Sequence, residues 1–144
     1  MKTKLFGIAA ALLLSVVATG TCHAQQTALS AQIPFAFQAG NTMLPAGEYQ
    51  IRRGSLTTET VAQIRDTDSS SSAYVATYAV DPRNENVEPR LIFNCYSNAC
   101  FLSEIWTGSG NGRKLVQSNR EKELSHARTE NEMAVVSLPL TVTP

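Results

Sequence analysis

Two cysteines, Cys95 and Cys100, lie close together in the stretch FNCYSNACFL (93–102) and could act as a redox pair, as metal ligands or as a disulfide. A dithiol oxidoreductase normally uses Cys-x-x-Cys at a helix N-terminus, where the thiol pKa is lowered. Here four residues separate the cysteines, and both flanks resemble strands. A structural zinc site needs four ligands. Without the leader described below, the chain keeps only these two cysteines and His126, which are too few for one chain to complete a zinc site.

A disulfide is the chemistry that suits this spacing best. A turn over positions 96–99 would place Cys95 directly opposite Cys100 in a hairpin, where Cα atoms lie about 4.5–5.5 Å apart, a separation that a disulfide tolerates. We therefore predict a structural disulfide, with an unpaired dithiol and a redox site as the alternatives.

The sequence offers few groups for catalysis or metal binding. Glu123, His126 and Glu130 share a face of a predicted helix, and Glu-x-x-His is half of a di-metal carboxylate site. The second copy that such a site requires is missing from the sequence, so a solvated helix face is the better interpretation. Serine-based catalysis needs a histidine with an orienting acid, and no Gly-x-Ser-x-Gly surrounds any serine. We predict no catalytic, cofactor-binding or metal-binding residue and keep a small secreted hydrolase, or another enzyme with an unrecognised site, as the alternative.

The stretch GSGNGRK (108–114) is similar to a phosphate-binding loop only at first sight. The Walker A pattern requires a second glycine directly before its lysine, and Arg113 occupies that position. We predict a loop between a strand and the helix.

Aromatic side chains could form a binding platform, because ring faces stack on apolar ligand surfaces. Trp106 and Tyr49 are the candidates for such a platform. The preferred interpretation is that the aromatic residues fill the core instead, a group that also includes Tyr74, Tyr78 and Tyr96.

Glu104 precedes Trp106 by two positions and would point to the same side of a strand. A carboxylate on a buried face needs a partner. The candidate partners are Arg52, Arg53 and Arg90.

The first residues have the composition of a signal peptide. Lys2 and Lys4 precede an apolar run from Leu5 to Val17, which is shorter than the about 20 residues of a membrane span. Small residues at the −3 and −1 positions predict cleavage between Ala24 and Gln25. Cleavage after position 20 and lipidation of Cys22 are the alternatives, although the residues before Cys22 lack the usual lipoprotein pattern.

The expected organisation is a signal peptide, residues 1–24, followed by one β-rich domain, residues 25–144. The mature part would keep 10 basic and 12 acidic side chains of the 12 and 12 in the 144-residue chain. It has no basic patch for nucleic acid and no second apolar run for a membrane span. We expect a periplasmic or extracellular location and an unknown envelope component or protein as the partner.

Short alternating segments separated by turn residues predict about seven antiparallel strands in a sandwich or small barrel. The predicted strands cover 31–38, 47–52, 61–66, 73–80, 90–97, 100–107 and 132–142, with a turn at Gly40-Asn41. In the sixth strand, alternation places Phe101 and Ile105 on one face and Leu102 and Trp106 on the other.

One surface helix is predicted at about 118–129. Ser118-x-x-Glu121 is a capping box, and the following residues are good helix formers. The apolar content is thin, mainly Leu124 and Ala127, so the helix should lie on the surface of the sheet.

The stretch IPFAFQAGNTMLPAGEYQI, together with FLSEIW, a glycine-rich loop and a charged helix, resembles an uncharacterised group of small exported bacterial β-rich proteins. That group shares a pattern close to P-F-x-F-x-x-G-x-x-x-L-P-A-G-x-Y-x-I/V, and the likeness covers residues 32–53 and 91–128. The resemblance implies export and a compact β fold, and it implies no activity. Cys95 and Cys100 are not a general feature of the group, so the resemblance makes them an accessory.

The leader generates the first testable prediction. Mass spectrometry of the exported protein should find Gln25 at the mature N-terminus, because the small residues before it suit signal peptidase. An intact Cys22, or a diacylglyceryl adduct on it, would contradict this cleavage site.

Overall fold

The structure, a computed structural model, describes residues 28–53, 60–81, 87–97, 99–108, 112–127 and 133–143. The predicted leader, its cleavage site at Ala24 and Gln25, and Glu130 lie outside these ranges and stay predictions. Within the described ranges, no helix is long and apolar enough to cross a membrane.

The described residues form eleven strands and one helix, so the mainly β fold with one helix is confirmed. The strands are β1 (Ala28–Ile33), β2 (Phe37–Ala39), β3 (Thr42–Leu44), β4 (Gly47–Arg53), β5 (Val61–Asp66), β6 (Ser72–Val80), β7 (Arg90–Tyr96), β8 (Ala99–Trp106), β9 (Gly112–Leu115), β10 (Met133–Pro139) and β11 (Thr141–Thr143), and the helix is α1 (Asn119–Ala127).

The predicted number of seven strands was too low. The segment 31–38 divides after Ile33 into β1 and β2, where Pro34 cannot donate a ladder hydrogen bond. The segment 132–142 likewise divides at Leu140 into β10 and β11. The two further strands are β3, which returns from the turn at Gly40-Asn41, and β9, which lies partly in the stretch predicted as a loop. Gly40 has φ +58°, a conformation that glycine adopts without a steric penalty.

The strands form one mixed sheet whose main path runs β10-β7-β8-β9-β6-β5-β4-β1-β11. The prediction left two architectures open, a sandwich and a small barrel. The hydrogen-bonded path does not close into a barrel. Its two ends, β10 and β11, are nevertheless consecutive in the chain. β2 joins β8 in parallel, so the expectation of a purely antiparallel sheet was wrong at this pair.

β6 connects the two halves of the sheet. Its first part, from Ser72 to Ala76, pairs with β5, and its second part, from Thr77 to Val80, pairs with β9. The inward side chains of both halves therefore meet in one core, which includes Ile33, Phe37, Tyr49, Ile64, Leu91, Phe93, Leu102 and Ile105.

Edge-to-face aromatic contacts lie at the centre of this core. The ring of Phe37 contacts Tyr49 at 5.2 Å and Phe93 at 5.4 Å between centroids, and Phe35 contacts Phe93 at 5.3 Å. Such pairs add about 0.5–1.5 kcal/mol each beyond the burial of their area. They link β2, β4 and β7, which are distant in sequence.

A bulge in β8 changes which side chains face the core. Phe93 pairs with Leu102 and Ile92 pairs with Glu104, so Ser103 has no counterpart in β7. Leu102 and Ile105, three positions apart, consequently both lie in the core. The predicted division of faces in this strand was wrong, because simple alternation does not pass through a bulge.

Cys95 and Cys100 form the predicted disulfide across the β7–β8 hairpin, with Cα atoms 4.0 Å apart. The pairing continues to Tyr96 and Ala99, so the connection is shorter than the predicted four-residue turn. Ser97, in this connection, has φ +50°.

Polar contacts hold the start of α1 against the outer side of the sheet. The Ser118 hydroxyl accepts a hydrogen bond from the Glu121 amide at 3.2 Å, as an N-cap does. The Glu121 carboxylate, whose residue is only 3% exposed, accepts from the Asn94 side-chain amide at 3.2 Å. Gln38 donates to the Ser118 hydroxyl at 3.4 Å. Leu124 is only half-buried and Ala127 is exposed, so the attachment depends on the capped first turn.

The disulfide generates a stability prediction. Replacing both cysteines by serine should leave the fold intact and lower the free energy of unfolding by about 2 kcal/mol, because the closed loop is short. Equilibrium denaturation of the oxidised protein and of the Cys95→Ser, Cys100→Ser variant measures the difference. Failure of the variant to fold would show that the hairpin depends on the bond far more than chain entropy accounts for.

Candidate functional site

The two residues predicted as a possible ligand platform are both buried. The Tyr49 side chain is fully enclosed, and its hydroxyl donates to the Pro45 carbonyl at 2.7 Å. Trp106 is 7% exposed, and its indole Nε1 donates to Glu104 Oε2 at 2.9 Å. Neither ring offers a face to a ligand, so the preferred interpretation, in which these rings pack inside the protein, describes their placement.

Glu104 has one partner on its own strand, β8, and one on the neighbouring strand β9. Besides the Trp106 indole, its carboxylate lies 3.9 Å from Lys114 Nζ. In the structure, Lys114 pairs directly with Glu104 in the β8–β9 ladder. The expected partners Arg52 and Arg90 make no ion pair with it, and the Arg53 side chain lies outside the described part.

Tyr49 and Asp66 form a second polar pair, which belongs to the frame of the fold. Burial, and then the neighbouring Asp66 carboxylate, raise the pKa of Tyr49 to about 12. The Asp68 amide and the Ser69 hydroxyl donate to Asp66 at 2.8 Å each and hold the pKa of Asp66 below its usual value. The carboxylate thus organises the turn after β5 and is occupied by it.

His126 and Glu123 lie exposed on one face of α1. They border an open groove of about 600 Å³ together with three other helix residues, namely Asn119, Lys122 and Ala127. All of these lining residues come from a single helix. Among the described residues, no three histidine, cysteine or carboxylate side chains are grouped to hold a metal.

Two tyrosines instead lie on the outside of the sheet. Tyr74 is 69% exposed and Tyr78 is 49% exposed, both on β6. They are four residues apart on one face of the strand, a spacing of about 13 Å. The expectation that all the tyrosines fill the core was wrong for these two. Ala73 and Val75 occupy the inward positions of the same strand instead.

An apolar row separates the two tyrosines. Val61 pairs with Ala76, and the Val116 amide donates to the Ala76 carbonyl at 3.2 Å. These three exposed side chains form a strip across three neighbouring chain segments. We define the tyrosine face as this row together with the two rings that flank it, Tyr74 and Tyr78.

Polar and cationic side chains border the tyrosine face. Gln63 donates to the Tyr74 hydroxyl at 2.9 Å and orients that ring. Arg52 is the neighbour of Gln63 in β4, and Lys114 is the neighbour of Tyr78 in β9. The face therefore combines stacking surfaces, exposed methyl groups and hydrogen-bond donors on the outer side of the sheet.

Comparison with protein-family models, with curated proteins and with solved structures finds no match. Any function must therefore be argued from the residues and their geometry.

The packing of Trp106 gives a testable prediction at Gly112. A Cβ atom on this glycine would lie 2.5, 2.6 and 2.8 Å from three carbons of the Trp106 ring. Gly112→Ala should lower the free energy of unfolding by about 1–3 kcal/mol, the usual cost of overpacking. Urea denaturation, with tryptophan fluorescence as the probe, measures the loss.

Gly47→Ala is the matched control. Gly47 also lies in a strand, β4, and its new Cβ would make only ordinary contacts, the nearest at 3.5 Å. In a Trp106→Leu background, the cost of Gly112→Ala should shrink, since the ring that it displaces is gone. An equal loss of free energy of unfolding in both backgrounds would contradict the explanation that a Cβ atom at position 112 displaces the Trp106 ring.

Proposed function

We propose that the protein is exported and acts as a non-enzymatic binding domain in the cell envelope. The leader sequence and the resemblance to small exported proteins support export. The Cys95–Cys100 disulfide is consistent with it, because such bonds persist in oxidising compartments.

The tyrosine face is the observation that carries the binding role. Large aromatic rings usually lie in the interior of a small domain, yet Tyr74 and Tyr78 are held on the outside of a regular sheet. Tyrosine supplies a rigid apolar surface with a polar tip, and such residues are enriched where proteins bind one another. The two rings, about 13 Å apart, suit an extended ligand that contacts both.

The alternative, a small secreted hydrolase, would require at least two convergent ionisable groups in a concave site. Lys122, Glu123 and His126 border the open groove on α1, but all three are exposed side chains of one helix and do not converge from different elements. The ionisable pairs in direct contact among the described residues are Glu104 with Lys114 and Tyr49 with Asp66. Each of these two pairs is held in place by hydrogen bonds within its own strands or turn. A binding role therefore suits the outer surface better than catalysis does.

Site-specific photo-crosslinking in intact cells tests the proposal. A benzophenone amino acid at Tyr74 or Tyr78 should give a defined adduct, because these positions would contact the ligand directly. The same probe at Met43, which is 56% exposed on β3, is the matched control and should give none. Adducts are detected by a mass shift of the purified protein.

Two further variants separate binding from catalysis. Tyr74→Ala with Tyr78→Ala should abolish capture of the partner, once crosslinking has identified it, by the immobilised protein. The two substitutions should change the free energy of unfolding by about 0.5 kcal/mol or less per site, as exposed substitutions do. His126→Ala should leave capture unchanged. Equal adducts at Met43, or a loss of function through His126→Ala with the fold intact, would overturn the proposal.

A further inference from the structure

The tyrosine face gathers much of the apolar surface that the protein exposes. Among the described residues eight large apolar side chains are exposed, and four of them belong to this face: Val61, Tyr74, Tyr78 and Val116. Ala76 lies between them and is exposed too. An exposed apolar patch with a polar border marks a surface that meets a protein partner or a membrane.

Three cationic side chains border this face, although they are far apart in the sequence. Lys114 stands directly opposite Tyr78 in the β6–β9 ladder, where Cβ atoms are about 5 Å apart. Arg65 lies on the neighbouring strand β5, diagonal to Tyr74. Arg52 lies in the row of Tyr74, two strands away. Both arginines are exposed, and the Lys114 side chain is 39% exposed, so all three charges are accessible from outside.

Acidic side chains offset these cations only in part. Glu104 lies 3.9 Å from Lys114. Glu48 is exposed on the same side of β4 as Arg52, but it lies four positions away, about 13 Å along the strand. Within β5, β6 and β9 the one acidic residue, Asp66, is buried. The border of the tyrosine face is therefore net positive, although the predicted mature chain has more acidic than basic side chains.

The form of the face also restricts its ligand. Peptides are usually recognised in a groove or at the backbone edge of a strand. Here the exposed groups are side chains on three neighbouring chain segments. Tyr74, 69% exposed, stands out from the surface. A ligand meets these side chains from above, as the surface of a bilayer does.

We propose that the tyrosine face docks on the surface of an anionic lipid bilayer, an inference that rests on the binding role proposed above. The two phenol rings and the two valines enter the boundary between head groups and acyl chains, and the three cations contact lipid phosphates. Tyrosine is enriched at this boundary because its ring is apolar and its hydroxyl is polar. Cationic side chains near an anionic membrane surface add to the attraction.

The valines favour a lipid surface over a polar polymer such as a polysaccharide. Val61 is 37% exposed and Val116 is 54% exposed, both beside Ala76 in the centre of the face. Their methyl groups make no hydrogen bonds and gain free energy only by leaving water. Acyl chains provide that apolar environment, whereas the hydroxyl groups of a polysaccharide do not.

Flotation of the purified exported protein with unilamellar vesicles tests the proposal. Vesicles of phosphatidylcholine and phosphatidylglycerol in equal amounts should bind the protein at low ionic strength. Vesicles of phosphatidylcholine alone should bind it at least about tenfold more weakly, because they lack the anionic charge. Added salt should weaken the binding to anionic vesicles, since it screens exposed charges.

Matched substitutions separate the tyrosine face from net charge. Arg65→Gln should weaken vesicle binding about fivefold, whereas Arg120→Gln, which removes the same charge from the exposed side of α1, should leave it within about twofold. Val116→Asp should abolish binding, because it places an anion in the centre of the face. Val142→Asp, at a residue 61% exposed on β11, should leave binding within about twofold. The thermal unfolding midpoint of each variant shows that it is folded.

Photo-crosslinking separates this inference from the binding role itself. A benzophenone amino acid at Tyr74 should give an adduct with the mass of a phospholipid. An adduct with a protein or a polysaccharide would keep the binding role and overturn the bilayer as the ligand, and so would failure of the wild type to float with anionic vesicles. Equal weakening by Arg65→Gln and Arg120→Gln would overturn it as well, because binding would then follow net charge alone. A missing adduct at both Tyr74 and Tyr78 would overturn the binding role together with this inference.

Discussion

The last segment of the chain ties together the two ends of the sheet, and the remaining architecture depends on that connection. β10 pairs with β7, and after Leu140 β11 pairs with β1. The hydroxyls of Ser30 and Thr141, 111 positions apart in sequence, lie 3.1 Å from each other. Contacts between such distant residues require a large loop to close first. The local hairpins should therefore form before the C-terminal strands enclose the core.

The enclosed core limits where a ligand could bind. The interior is occupied by large, fully buried side chains, and Phe37 makes edge-to-face contacts with both Tyr49 and Phe93. A small β structure with such a filled core has its binding surfaces on the outside. The outer side of β7 and β8 is partly covered by the capped end of α1, through Asn94 and Glu121. The outer side of β5 and β6 carries the exposed tyrosines, and this difference between the two halves is what makes the tyrosine face a candidate site.

The sequence predicts those features that depend on neighbouring residues. The Gly40-Asn41 turn, the Ser118 cap and the Cys95–Cys100 hairpin each involve a few consecutive positions, and all three occur in the structure. The bulge at Ser103 and the parallel pairing of β2 with β8 depend on distant strands, so alternation within one segment could not indicate them. The same holds for the candidate site. Tyr74 and Tyr78 could be placed on a common face of β6, but which face meets the core is decided by β5 and β9.

The filled core and the tyrosine face lie on opposite sides of β6. Ala73 and Val75 of this strand are buried in the core, whereas Tyr74 and Tyr78 are exposed on the outside. Successive side chains of a strand point to opposite faces of the sheet, so the same backbone supports both surfaces. A ligand that contacts both rings would therefore displace no core side chain, and in the proposed role the domain would need no deep pocket to bind.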